Sequence, residues 1–249
     1  MNSTELTMTE NHGLSANALK YIAIAAMLID HIAWCFVDTY SFCGQVMHVI
    51  GRITAPVMCY FIAEGYHYTR DVKKYLLRLG VFALISWFPF IFMEYGTLPI
   101  YFSGGHIAVN PIQGVIYTLF LGLLALTVIH SESLIQPVKA VMLLIIFMLS
   151  LIGDWLYLAI VWIMIFDKYR GNIKKQLLLF IISAVIMNSL FIVIMPLSEM
   201  LFQYGVLLAA VPLYFYNGRR GKGGSFNKWF FYVFYPLHMA ILGFIKFCL

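Results

Sequence analysis

Nine apolar stretches follow one another along the chain, at about 18–37, 46–66, 75–93, 111–130, 138–152, 155–167, 177–195, 201–216 and 229–248, with only short connections between them. A helix that crosses the hydrocarbon of a bilayer needs about 20 mostly apolar residues, because each residue rises only about 1.5 Å. Nine of them use up about 180 residues, so a chain of 249 residues has no room for a separate catalytic domain in water. With 62% hydrophobic and 11% charged residues, it is excluded from the ordinary soluble class, where charged residues make up about 25%, and from disorder. The expected fold class is all-α: a polytopic integral membrane protein in which 18–249 form one transmembrane bundle of about nine helices. A short polar cytoplasmic tail, 1–17, precedes it. Glu5 and Glu10 with no basic region ahead of an apolar core make a tail of this segment and not a secretory signal. Segments 138–152 and 155–167 are short, and form either a tight helical hairpin below full depth or one broken element.

The loops alternate in charge. Arg70, Lys73, Lys74 and Arg78 follow the second stretch, Lys139 follows the 131–137 loop, Lys168, Arg170, Lys174 and Lys175 follow the sixth, and Arg219, Arg220, Lys222 and Lys228 precede the ninth. The intervening loops, about 38–45, 94–110, 153–155 and 196–200, hold no Lys or Arg. The positive-inside rule puts the basic loops in the cytoplasm, with the amino terminus inside and the carboxyl terminus outside. Lys246 alone breaks the pattern, and a lysine at a helix end snorkels to the headgroups. This clustering also explains the formal charge of +5 without nucleic acid; the partner it implies is the lipid bilayer, and the place is a cell membrane. The glycine-rich run 218–224 lacks the Gly-Lys-Ser/Thr ending of a phosphate loop and reads as a cytoplasmic connection. Cys35, Cys43, Cys59 and Cys248 have no metal-ligand spacing; Cys35 and Cys43 flank one outer loop and either pair or stay free. No metal is expected.

Ionisable side chains inside hydrocarbon are expensive, so they face the bundle interior, pair, and mark function. Asp30 and His31 lie in the first stretch, Arg52 in the second and His238 in the ninth, while His48, His106 and Asp154 fall at the outer edge. These residues come from distant parts of the chain yet share depth, which an outward-opening cleft accommodates. Asp30 and His31 are adjacent and point about 100° apart, so one faces the cleft and the other a neighbouring helix, with Arg52 a candidate partner for Asp30. His48 and Arg52, four apart, share a helix face. An imidazole titrates near neutrality, so His31 suits a general base; Arg52 suits a phosphate clamp or an oxyanion. The alternative for each is a purely structural network. His238 follows Pro236, whose ring frees a backbone carbonyl for a nearby polar group. Glu64 either lines a cytoplasmic entrance or pairs with Arg70 or Lys73. The 94–110 connection is the longest outer one, and Asn110 with Pro111 has the form of a helix start. His12, His67 and His130 receive no role.

Taken together these segments resemble the TraX family of conjugal-transfer membrane proteins. The resemblance is carried by Leu19–Ile32 with its Asp30-His31 pair, by 50–57 around Arg52, by 61–70 around Glu64 and Arg70, by 74–86, by Asp154-Trp155 and by 234–238 ending at His238. It implies N-acetylation of a pilin subunit, and more broadly the membrane acyltransferases that carry an acyl group from cytoplasmic acyl-CoA to an acceptor outside. By that resemblance His31 is the catalytic histidine, Asp30, Arg52 and His238 are its partners, and Arg52, Glu64 and Arg70 contact the acetyl-CoA or other acyl-CoA. The first-helix arginine usual in the broader group is absent, Lys20 being the nearest basic residue. The acceptor, an amine or hydroxyl of a protein, peptide, glycan or lipid, is not specified. The alternative classes are a small-solute or ion transporter using the same buried charges, and a noncatalytic membrane assembly factor.

Overall fold

The computed structural model describes residues 13–190, 201–221 and 225–249, the last stretch with side chains from 229 onward. The chain is an all-α membrane protein. Its elements are α1 (Ala16–Phe36), α2 (Phe42–Gly51), α3 (Thr54–Tyr68), α4 (Val72–Tyr95), a hairpin of β1 (Ile100–Ser103) and β2 (His106–Val109), α5 (Val115–Ile129), α6 (Gln136–Ser150), α7 (Leu158–Lys168), α8 (Ile173–Leu190), a 3-10 turn (Tyr204–Ala209) running into α9 (Ala210–Tyr214), and α10 (Ser225–Cys248). Among the described residues, five stretches are long and apolar enough to cross a membrane: Ala16–Phe36, Phe42–Tyr68, Val72–Tyr95, Ile173–Leu190 and Trp229–Cys248. The remaining apolar helices, among them Val115–Ile129, Gln136–Ser150 and Leu201–Tyr214, are shorter.

Local chemistry sets the helix ends. The Ser15, Ser41 and Asp71 side chains accept the backbone N–H of Ala18, Gly44 and Lys74, capping α1, α2 and α4. That bond holds the Asp71 carboxyl below the usual carboxylate range. Gly96 ends α4 with φ +67, a left-handed conformation that suits a residue without a Cβ. Between α2 and α3 the helix is interrupted at Arg52 and Ile53. Pro56 sits four residues after Arg52 and has no N–H to give the Arg52 carbonyl, so the ladder breaks there.

Several sequence expectations change. The second stretch begins at Phe42, inside what was read as a loop, and divides at Arg52. The fourth helix starts at Val115 with Gly114 as its cap, because the Asn110 side chain is taken up by the Ile112 N–H, 3.1 Å away. The long connection holds a β-hairpin closed by Gly104 and Gly105, both at positive φ, the two-residue turn that matches strand twist. Segments 138–152 and 155–167 are two separate helices that pack on α5. Lys246 donates to the Met93 carbonyl at 3.3 Å instead of reaching for headgroups. All four cysteines are free.

α3, α5 and α7 form the centre. α5 packs on α3, α4, α6 and α7, and Trp162, Phe166 and Phe180 fill the fully buried space beside it. The outer helices leave apolar side chains uncovered, such as Leu77, Leu84 and Phe88 of α4 and Val141, Leu144, Ile145 and Met148 of α6. That surface fits lipid, where helices already satisfy their own backbone groups. The element ends join in pairs: Leu14 bridges Tyr216 at the end where the basic loops gather, and Gln113 bridges Gly153 at the far end.

Gly51 is where α2 passes α1, and a Cβ there would overlap the Asp30 side chain. Gly51→Ala is therefore expected to lower the thermal midpoint in detergent, by an overpacking cost of about 1–3 kcal/mol. Gly80→Ala, whose Cβ would meet Phe120 at an ordinary 3.4 Å, is expected to leave it unchanged or raise it. Equal effects of the two would contradict the close approach of α1 and α2.

Candidate active site

α1 carries Asp30 and His31 toward the far end, and each recruits different partners. Arg52 Nη2 donates to Asp30 Oδ2 at 3.0 Å and to Oδ1 at 3.3 Å, while His48 Nδ1 lies 2.8 Å from Oδ1. A carboxylate only accepts, so His48 Nδ1 carries the proton. The Arg52 guanidinium lies 5.2 Å from the Phe202 ring centroid and 5.4 Å from that of Trp155, so its charge meets aromatic faces as well as Asp30. Its Nε is buried and has no hydrogen-bond partner among the described residues. His48, expected at the outer edge, is fully buried, because it spans the gap from α2 to the Asp30 carboxylate.

His31 belongs to a second set. His31 Nδ1 and His238 Nε2 are 2.6 Å apart, and His238 Nδ1 lies 2.8 Å from the Phe234 carbonyl. That carbonyl can only accept, so His238 holds its proton on Nδ1 and presents Nε2 as an acceptor. His31 must then donate from Nδ1, which leaves the lone pair on His31 Nε2 free to take a proton. The carbonyl that Pro236 frees is that of Tyr232, four residues back, and not the one His238 uses. Phe234 stacks on His238 at 4.9 Å and fixes the ring.

Two cavities meet beside this pair. The far-end chamber, about 480 Å³, is lined by Asp30, His31, Arg52, Glu94, Asp154 and Tyr235 among others, so both Asp30 and His31 reach it. The basic-end chamber, about 590 Å³, is lined by Asn17, Lys20, Glu64, Arg78, Arg220 and again Tyr235. Met27, Thr54, Val115 and Tyr235 line both and form the partition. Thr54 is held by the Ala23 carbonyl at 2.9 Å. The Tyr235 oxygen accepts the Val115 N–H at 3.1 Å, so its own O–H remains available to donate into a chamber.

Glu64 does line the basic-end chamber, but its ion pair is with Arg170, Nε to Oε1 at 2.9 Å, and not with Arg70 or Lys73. The partner is 106 positions away, beyond local spacing. Arg70 is exposed and lines neither chamber, and His106 sits exposed on the hairpin. His12 and the 196–200 loop lie outside the described residues, as do Lys222 and the Lys228 side chain. Sequence reasoning missed Glu94, Tyr235 and the cavity role of Arg78. Arg78 was counted as a topology charge, Tyr235 entered only as part of the 234–238 run, and Glu94 was passed over at a helix end.

Asp154 is exposed onto the far-end chamber yet crowded by protein around it, and this crowding pushes its carboxyl up to about 6 despite the nearby Arg52 guanidinium. A raised carboxyl pKa means that the folded protein keeps a proton the unfolded chain has released. The stability contribution of Asp154 therefore falls as pH rises from about 4 to about 6 and is level above that. Asp154→Asn is expected to gain thermal midpoint on the wild type across this window, with a constant difference at higher pH. Parallel pH profiles would contradict the desolvated site.

Comparison with known proteins agrees with the motifs. The family model described as "TraX protein" matches residues 15–246. A curated relative from Dichelobacter nodosus, described as "Probable fimbrial assembly protein FimC, serogroup H1", is 31% identical over 255 residues, covering 94% of this chain and 97% of its own. No solved structure matches the chain. The family match spans α1 through α10, taking in Asp30, His31, Arg52 and His238 alike, and so the chain belongs to the TraX family.

Proposed function

We propose that this protein is a membrane-embedded acyltransferase, in the first instance an acetyltransferase, that carries an acyl group from acyl-CoA in the cytoplasm to an amine on the other side of a bacterial cytoplasmic membrane. The observation that carries the reading is the pair of chambers sharing one partition beside His31. In this arrangement the chain crosses nine times with its amino terminus inside. The basic-end chamber then faces the cytoplasm, and Lys20, Arg78 and Arg220 on its wall suit the phosphates of CoA. The far-end chamber faces outward, where the carboxyls of Glu94 and Asp154 favour a cationic amine over a neutral hydroxyl. The description of the Dichelobacter relative as a fimbrial assembly protein, together with the TraX membership, supports the amino terminus of a pilin-like subunit as acceptor.

The residues assign the steps. The thioester reaches the partition from the cytoplasmic chamber; the ammonium drawn in by the Glu94 and Asp154 carboxyls gives one proton to water in the outer chamber and reaches the partition as the neutral amine. As the amine nitrogen attacks the thioester carbonyl, His31 Nε2 takes a proton from it, and His238 steadies the imidazolium from the Nδ1 side. The Tyr235 hydroxyl donates to the developing oxyanion. The C–S bond breaks, the proton on His31 passes to the CoA sulfur, and amide and free thiol are the products. Arg52 and Asp30 fix the wall of the outer chamber and balance its charge.

Purified protein in detergent should bind acetyl-CoA saturably. Arg78→Ala should weaken this binding about tenfold, the worth of one charge-assisted hydrogen bond. His31→Ala should keep the binding and lose transfer to a peptide with a free amino terminus, and Tyr235→Phe should cut kcat by about 10²–10³. Folded protein that binds no acyl-CoA, or His31→Ala with undiminished turnover, would sink the proposal. Label movement across liposomes without acyl-CoA would favour a transporter instead.

A further inference from the structure

Away from both chambers, at the basic end, three helix termini converge on one carboxylate. His67 is the penultimate residue of α3, His130 follows the last residue of α5, and Asp167 is the penultimate residue of α7. His67 Nε2 lies 2.7 Å from Asp167 Oδ1 and His130 Nε2 lies 2.8 Å from Oδ2, and the three ligand atoms are all within 4.8 Å of one another. The Asp167 side chain is 7% exposed, whereas the imidazoles are 30% and 39% exposed. The two rings stand at 81° with centroids 5.8 Å apart, and Tyr66 stacks on His130 at 5.2 Å.

This is more than a surface ion pair. Two imidazoles from different helices turn the same nitrogen, Nε2, onto the two oxygens of a single, nearly buried carboxylate. Nitrogen and oxygen donors in this number, with one side open to water, are the ligand set of a four-coordinate zinc-class ion. With bonds of about 2.0–2.1 Å, tetrahedral ligand atoms stand about 3.3 Å apart, so each imidazole nitrogen withdraws about half an ångström from its carboxylate oxygen while the wider separations, now within 4.8 Å, close toward that spacing. Their partial exposure leaves them free to do so. The neighbouring cations are already engaged: Arg170 is paired with Glu64, and Lys139 donates to the Ile129 carbonyl.

We propose that His67, His130 and Asp167 form a site for a divalent metal ion of the zinc class, which ties the ends of α3, α5 and α7 together. On binding, each neutral imidazole moves its proton from Nε2 to Nδ1 so that the Nε2 lone pair meets the ion, and water completes the coordination. Glu64 lies three residues before His67 and Arg170 three after Asp167, so the clamp also steadies the Glu64–Arg170 pair, whose carboxylate lines the basic-end chamber.

The test uses the full chain, purified without a histidine tag, stripped with a chelator and titrated with Zn²⁺, and separately with Co²⁺. The wild type should retain about one equivalent of zinc after desalting, gain thermal midpoint on zinc addition, and give the visible absorption of four-coordinate Co²⁺. The variant His67→Gln/His130→Gln keeps an amide N–H to donate to Asp167 but supplies no imidazole ligand. It should fold, yet lose the retained zinc, the thermal response and the cobalt band. Wild type that holds no more zinc than this variant, with no thermal response in either, would show that the cluster is a hydrogen-bonded pair only and would overturn the proposal.

Discussion

Asp30 is a carboxylate that follows the apolar run 22–29 of α1, and the cost of leaving such a buried charge unpaired in low dielectric is several kcal/mol at least, on the order of a broken buried ion pair. Its neutralisation by Arg52 and His48 is the condition on which the far half of the bundle rests. Meeting it requires α2 to approach α1 closely enough that Gly51 has no room for a Cβ, and requires the α2–α3 break at Arg52 that Pro56 enforces. The same pairing holds Arg52 against Trp155 and Phe202, which brings the 151–157 turn and the 3-10 segment onto the chamber wall. Packing, backbone geometry and the shape of the cavity are thus consequences of one buried charge.

With Asp30 satisfied by others, its neighbour is released for a different use. His31 has no carboxylate to bind; it stacks on His238 and donates to it. The chain of hydrogen bonds from His31 through His238 to the Phe234 carbonyl fixes both tautomers and leaves the His31 Nε2 lone pair free beside the partition. Tyr235, one helical turn before Met239 and three residues before His238, gives that partition a hydroxyl whose oxygen is already satisfied by Val115. Under the proposed function, a bundle built this way would supply proton transfer and oxyanion stabilisation from side chains at the partition between the two chambers.

The parts legible in the sequence were those where one residue contradicts its surroundings. A charge in an apolar stretch has few explanations, so Asp30, His31, Arg52 and His238 stood out, and the Asp30–Arg52 pair is present as expected. Helix positions were legible for a similar reason, since uninterrupted apolar runs have no soluble alternative. What escaped notice was whatever looked ordinary locally. Arg78 resembles any cytoplasmic arginine, Tyr235 any interfacial tyrosine, and Glu64 sits within reach of Arg70 in sequence while its partner Arg170 arrives from another helix. His67, His130 and Asp167 are separated by 63 and 37 positions, so no spacing rule joins them. The hairpin was signalled by Gly104 and Gly105 but was read only as a long loop.

The central claim is that the two chambers open to opposite sides of the membrane. Single cysteines in place of Tyr68, on the basic-end chamber, and of Tyr95, on the far-end chamber, test it in a background with Cys35, Cys43, Cys59 and Cys248 replaced. Right-side-out and inside-out vesicles are treated with a membrane-impermeant maleimide. Tyr68→Cys should label only in inside-out vesicles and Tyr95→Cys only in right-side-out ones. Labelling of both from the same side would contradict the two-sided site and the proposed transfer across it.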